Sequence, residues 1–138
     1  MDDKKYLKRA IEVGNRKAKP YNFGAVIVKN GEIIAESESR VHETNDPSAH
    51  SEVLALRKAA DVLGTYQLDD VTMYSSHEPC VMCFSCALWA GVDRIVYAIS
   101  ANQQEDFMYE FRGIRLDDLA KHALRKGVAV EHVALEKQ

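Results

Sequence analysis

Two short segments carry side chains able to do chemistry: Asp46-Pro47-Ser48-Ala49-His50-Ser51-Glu52 and Glu78-Pro79-Cys80-Val81-Met82-Cys83. Each is predicted to open a helix. On a first helical turn Cys80 and Cys83 point to nearly the same side. The free N–H groups and positive dipole end of a helix N-terminus favour thiolate, the form of cysteine that binds metal. With a neutral imidazole from His50, two thiolates suit zinc. Three protein ligands leave the fourth tetrahedral position to water, which is the catalytic rather than the structural arrangement. Glu52 stands roughly 200° round a helix from His50. Both can face one site only if it lies beyond the N-terminal end of that helix. A carboxylate there can move protons to and from activated water without ligating the metal.

A CxxC alone is common and an HxE alone means little; their joint occurrence, with Pro79 before the first cysteine, carries the reading. Cys86 could complete a purely structural zinc site. On a helix, however, it lies roughly 120° from Cys80 and about two turns deeper, so it is expected to be a small core residue. A non-catalytic zinc-binding module is the reading from another functional class.

The elements that must position these residues follow from periodicity and punctuation. Residues 3–18 read as a helix, with Leu7, Ala10, Ile11 and Gly14 at helical spacing and Pro20 beyond its end. Two runs rich in Val and Ile, 23–29 and 32–36, flank Asn30-Gly31, a hairpin signal because a type I′ turn needs two positive φ angles. Asp46 as N-cap and Pro47 as first helical residue open a helix to Leu63. Residues 71–75 form a strand, 78–90 a helix closed by Gly91, and 94–99 a strand. A polar stretch spans 100–110, a helix 116–125 stopped by Gly127, and a strand 128–135. The order αββαβαβαβ predicts an α/β domain over residues 1–138: three αβα layers, with a five-stranded mixed sheet built of the hairpin plus parallel strands.

Composition narrows the partners. The chain has 138 residues, 18 Lys plus Arg against 21 Asp plus Glu, and a net charge of −3. That balance argues against a constitutive nucleic-acid binder. The basic residues Lys4, Lys5, Lys8 and Arg9 are diluted by Asp2, Asp3 and Glu12 and read as a solvated helix face. No apolar run approaches a membrane span and the N-terminus lacks a signal-peptide core, so a cytoplasmic protein with no membrane partner is expected. Three cysteines, all between 80 and 86, favour a metal site in a reducing compartment over a disulfide scaffold.

The combination His-x-Glu and Pro-Cys-x-x-Cys resembles the zinc deaminases of the cytidine deaminase-like superfamily. The likeness covers residues 5–99, through FGAVIVKNGEIIAE, TNDPSAHSEVLALRKAADVLGTYQLDD and HEPCVMCFSCALWA. It is closest to the branch of bacterial guanine deaminases and tRNA adenosine deaminases. The resemblance implies one Zn2+ on His50, Cys80 and Cys83, a proton shuttle at Glu52, and a homodimer. It also implies hydrolytic release of ammonia from a small-molecule nucleobase or nucleoside, a guanine-like purine first. Alternatives are a tRNA adenosine-to-inosine deaminase and a cytosine- or cytidine-type deaminase. Phe23 matches the family's position near the bound base. Ser39 stands where an Asn contacts the purine, and is too short to present an amide's donor and acceptor together. Asp106, in a weakly similar acidic-aromatic stretch, is the candidate acceptor for a guanine-like amino group and ring N–H. His77 is a candidate pocket residue or a surface group, and Trp89 a core residue or a stacking partner for substrate. His42, His122 and His132 receive no role.

Overall fold

The computed structural model describes residues 2–104, 108–125 and 128–135. Helix α1 (Asp3–Gly14) opens where the Asp2 side chain accepts from the Lys5 N–H, and buries Tyr6, Leu7, Ala10, Val13 and Gly14. Strands β1 (Gly24–Lys29) and β2 (Glu32–Glu38) follow, then a short helix α2 (Val41–Thr44) and α3 (Ser51–Leu63). Strand β3 (Val71–His77), helix α4 (Val81–Ala90), strand β4 (Arg94–Ile99), helix α5 (Leu116–Lys121) and strand β5 (Ala129–His132) complete the order.

The five strands run β2-β1-β3-β4-β5. Pairing is antiparallel for β1 with β2 and with β3, and parallel for β3 with β4 and β4 with β5. Asn30 and Gly31, at φ 52° and 76°, make the tight turn of the β1–β2 hairpin, as the dipeptide predicts. One core, including Ile27, Leu56, Met73, Phe84 and Ile95, lies between the sheet and the face carrying α3 and α4. The other, including Leu7, Val13, Val26, Tyr74 and Val96, lies under α1. Helices on both faces of a mixed sheet are the three layers expected. Among the described residues no helix is long and apolar enough to cross a membrane.

Several boundaries differ from the sequence reading. Helix α1 ends at Gly14 rather than 18, because the chain must turn where glycine alone fits. A Cβ on Gly24 would stand 2.1 Å from the Ala10 carbonyl oxygen, and one on Gly14 2.5 Å from that of Asn22. Helix α5 stops at Lys121 and β5 spans only Ala129–His132; Gly127 lies outside the described residues. Asp46 does not cap α3. Its carboxylate accepts from the Ser48 N–H at 2.9 Å and hydroxyl at 2.7 Å, a local turn that competes with helix and delays the helix start to Ser51. Helix α4 likewise begins at Val81, not 78.

Candidate metal centre and pocket

The delayed helix starts place the ligands. His50 is the N-cap of α3 at φ −69°, ψ 154°, and Cys80 the N-cap of α4 at φ −73°, ψ 172°. Both are extended residues whose side chains are not bound to the helical cylinder. Cys83 lies in the first turn of α4 and is fully buried. His50 Nδ1 is 3.6 Å from Cys80 Sγ and 3.4 Å from Cys83 Sγ, and the sulfurs are 3.6 Å apart. A tetrahedral zinc with Zn–S of about 2.3 Å and Zn–N of about 2.0 Å needs edges of about 3.8 Å between sulfurs and about 3.6 Å between sulfur and nitrogen. The donor set and its spacing therefore fit zinc. Cys86 is half-buried and packs between two apolar clusters; it does not belong to the ligand group found among the described residues.

Electrostatics of the triad agree. The bond to Cys83, with that to His50, pulls the Cys80 thiol down to about 6, while the same Cys80 contact and burial push Cys83 up. The Cys80 sulfur raises the His50 imidazole above its ordinary range. One thiol proton leaves readily and the second is held, since neighbouring thiolates repel; a divalent cation relieves that repulsion.

A cavity of about 230 Å³ opens beside the triad, lined by Tyr21, Phe23, Ser39, His42, Met108 and Tyr109 among others. Two carboxylates reach it, and hydrogen bonding separates them. Glu78 is saturated: Oε1 accepts from the Ala101 N–H (3.0 Å) and Arg115 Nη2 (2.9 Å), Oε2 from the Leu116 N–H (3.0 Å) and Arg115 Nε (3.2 Å). Burial opposes its charge, yet the Arg115 bond and the two N–H groups hold the carboxyl below its usual range. Glu52 is buried and accepts only from the Ser51 hydroxyl, 2.8 Å from Oε1, among the described bonds. It keeps acceptor capacity for the cavity.

Of the other residues singled out from sequence, Phe23 and Ser39 line the cavity with His50, Glu52 and Cys80. His77 does not; it is buried behind Phe23, with ring centroids 4.4 Å apart. Trp89 neither packs in the core nor lines the cavity: the residue is 69% exposed, with the Arg125 guanidinium 4.3 Å from its ring centroid. Asp106 lies outside the described residues. His122 caps the end of α5, and His132 stacks on Tyr97. Sequence reasoning missed His42, which pairs edge-on with Tyr21 at 4.6 Å on the cavity rim. It also missed Ser51, Met108, Tyr109 and Arg115. Ser51 had a signal in its adjacency to Glu52; Met108 and Tyr109 lay in the acidic-aromatic stretch that the resemblance pointed to, though only Asp106 was singled out from it, and no periodicity or motif marks Arg115.

The description of a cytidine and deoxycytidylate deaminase zinc-binding region matches residues 1–99. The chain is 48% identical over 101 residues to a guanine deaminase of Bacillus subtilis (71% of this chain, 65% of the relative). It is 36% identical over 91 residues to a tRNA-specific adenosine deaminase of Aquifex aeolicus (66% and 57%). The aligned stretches thus span less than two thirds of those relatives. An X-ray structure of guanine deaminase from Bacillus subtilis superposes with TM-score 0.70 at 46% identity, covering 74% of this chain and 67% of that one. A guanine deaminase from Nitrosomonas europaea gives 0.74 at 27% identity over 94% and 74%. Metal triad, mixed sheet and matching sequence agree: the chain belongs to the cytidine and deoxycytidylate deaminase zinc-binding family.

Proposed function

We propose that this protein is a hydrolase that deaminates an amino-heterocyclic base, a guanine-like purine before others, with His50, Cys80 and Cys83 as zinc ligands and Glu52 as the catalytic acid–base. Zinc in that triad supplies a Lewis acid that makes water nucleophilic near neutral pH. Glu52, the cavity carboxylate whose one described bond is from the Ser51 hydroxyl to Oε1, accepts the proton of the attacking water and hands it to a ring nitrogen. It then takes the remaining proton from the hydroxyl added to the ring carbon and delivers it to the exocyclic amine. A C–O bond forms, the exocyclic C–N bond breaks and ammonia leaves. Phe23, Tyr21, Val41 and Met108 supply apolar and aromatic surface for a planar ring, and Ser39 also lines the cavity. The juxtaposition of an unsaturated buried carboxylate with a zinc-type triad in one small cavity carries this reading. Likeness to the guanine deaminase of Bacillus subtilis, 48% identical in sequence and 46% over its superposed structure, supports the purine. A single domain working as a cytoplasmic homodimer in purine metabolism belongs to the same reading and rests on the family resemblance.

The test is ammonia release from guanine, adenine, cytosine and their nucleosides, with Glu52→Gln as blank. Guanine turnover is expected, and loss of general acid–base help lowers it by about 10²–10⁴-fold in the variant, with zinc content by elemental analysis unchanged. Release from cytosine or cytidine alone, or inosine formed only in tRNA, would replace the substrate. Turnover unaffected by the substitution would remove Glu52 from the chemistry.

A further inference from the structure

Residues 108–116 follow the matched region in sequence yet close the outer side of the metal centre. Met108 and Tyr109 line the cavity. The Tyr109 ring packs against the cluster of Val53, Cys80 and Cys83. The next residue, Glu110, accepts the Met82 N–H at 2.9 Å and the Val81 N–H at 3.3 Å at the start of α4. Two further ties lead to one residue of the metal loop. The Tyr109 hydroxyl donates to the Glu78 carbonyl at 2.8 Å. Arg115 grips the Glu78 carboxylate through two nitrogens and also donates to Ser100 Oγ at 3.0 Å. The Glu78 side chain is 2% exposed and that of Arg115 29%, so the pair is shielded where it meets.

We infer that Arg115 is a positioning residue of the substrate site: clamped on Glu78, it holds residues 108–110 as a cavity wall supplied by the same chain that supplies the metal ligands. The inference rests on the deaminase reading for its kinetic arm only. A surface cation would have no reason to sit bidentate on a saturated buried carboxylate two residues before a metal ligand. The geometry has directional consequences. Arg115 touches neither the triad nor Glu52, so its loss leaves zinc binding and proton transfer intact. It frees Met108 and Tyr109, which contact substrate, so binding suffers first.

The test compares wild type, Arg115→Ala and Arg115→Lys as zinc-loaded proteins. For Arg115→Ala, amide exchange in 78–84 and 108–116 is expected to accelerate about tenfold or more, the size of a lost charged hydrogen bond. Zinc remains stoichiometric, and the KM for guanine rises by a similar factor while kcat changes little. Arg115→Lys keeps the charge without the fork and recovers part of both effects. Should Arg115→Ala not fold, Arg115→Gln, which can keep a single donor to Glu78, is expected to show the same pattern on a smaller scale. Unchanged exchange in both segments overturns the inference. So does kcat falling with KM fixed, or zinc lost along with activity. A wild type inert on guanine defeats the substrate reading instead, and exchange then decides on Arg115 by itself.

Discussion

His77 gives the sharpest thermodynamic test, because its environment fixes both sign and size. It is 5% exposed. The Gly24 N–H donates to Ser76 Oγ at 2.9 Å, and the Ser76 hydroxyl lies 2.7 Å from His77 Nδ1. Burial, aided by the charge of Lys19, pushes the imidazole down from 6.5 to about 4. As pH falls through 6.5, the unfolded chain binds a proton that the folded chain refuses. The stability His77 contributes is complete above that value and drains away as pH approaches 4. Each pH unit across the window costs about 1.4 kcal/mol, about 3 kcal/mol in all. Urea titrations of wild type and His77→Gln at steps from pH 7 to pH 4 read this directly. Gln keeps an acceptor for Ser76, and the metal ligands titrate in both proteins, so they cancel in the difference. The wild-type advantage is expected to shrink by about 3 kcal/mol on acidification. At a slope of about 1–3 kcal/mol/M that is a relative midpoint shift of about 1 M or more. Parallel stability curves across the window would refute the reasoning and mean that His77 is hydrated or charged in the folded protein.

Two other substitutions probe the site and its scaffold. Ser51→Ala removes the described donor to Glu52. A hydrogen bond to a charged group is worth about 1.5–3 kcal/mol, so kcat for ammonia release is expected to fall about tenfold with zinc unchanged; an unchanged kcat would show that Glu52 orients itself. Gly24→Ala sets a methyl 2.1 Å from the Ala10 carbonyl oxygen and 2.4 Å from the Gly14 nitrogen, both backbone atoms. Lifting α1 off the sheet should cost about 3 kcal/mol, at the upper end for overpacking. Calorimetry should then show a melting point lower by about 10 °C, and a change of a degree or two would mean that α1 is loosely seated.

What could be read from sequence was what is local. The ligand triad lies in two short segments, the hairpin turn in one dipeptide, and the alternation of strands and helices in runs whose period needs no partner. The cavity's far wall was not legible, because Tyr109, Glu110 and Arg115 act through bonds to residues 28 to 37 positions away, in a stretch with no hydrophobic period to announce it. Trp89 was misread for a related reason. A large aromatic on an apolar helix is expected inside, but α4 buries Cys83, Phe84 and Ala87, which leaves position 89 outward. Asp46-Pro47 was misread because a good capping pair is equally good at closing a turn. The Asp46 carboxylate is taken by Ser48 before it can serve a helix.

That last misreading bears on the chemistry. With both residues assigned to the helix, His50 and Glu52 could face one site only beyond its N-terminal end, and the cavity they share lies there. As N-cap, His50 is extended, so its imidazole can turn across the end of α3 while Glu52, in the first turn, stays beside it. Cys80 does the same for α4, and Cys83, three residues on, occupies the position whose side chain faces an N-cap in a capping box. The four groups meet because the metal-binding residues displace the usual capping residues: neither His50 nor Cys80 makes a side-chain cap bond. The exposed amides of α4 then need another acceptor, and Glu110 provides it. Of the three described carboxylates around the centre, Glu110 is tied to amides and Glu78 to a guanidinium and two amides. Among the described carboxylates there, Glu52 accepts a single described hydrogen bond, from Ser51, which is the reason the proposed proton transfer is assigned to it.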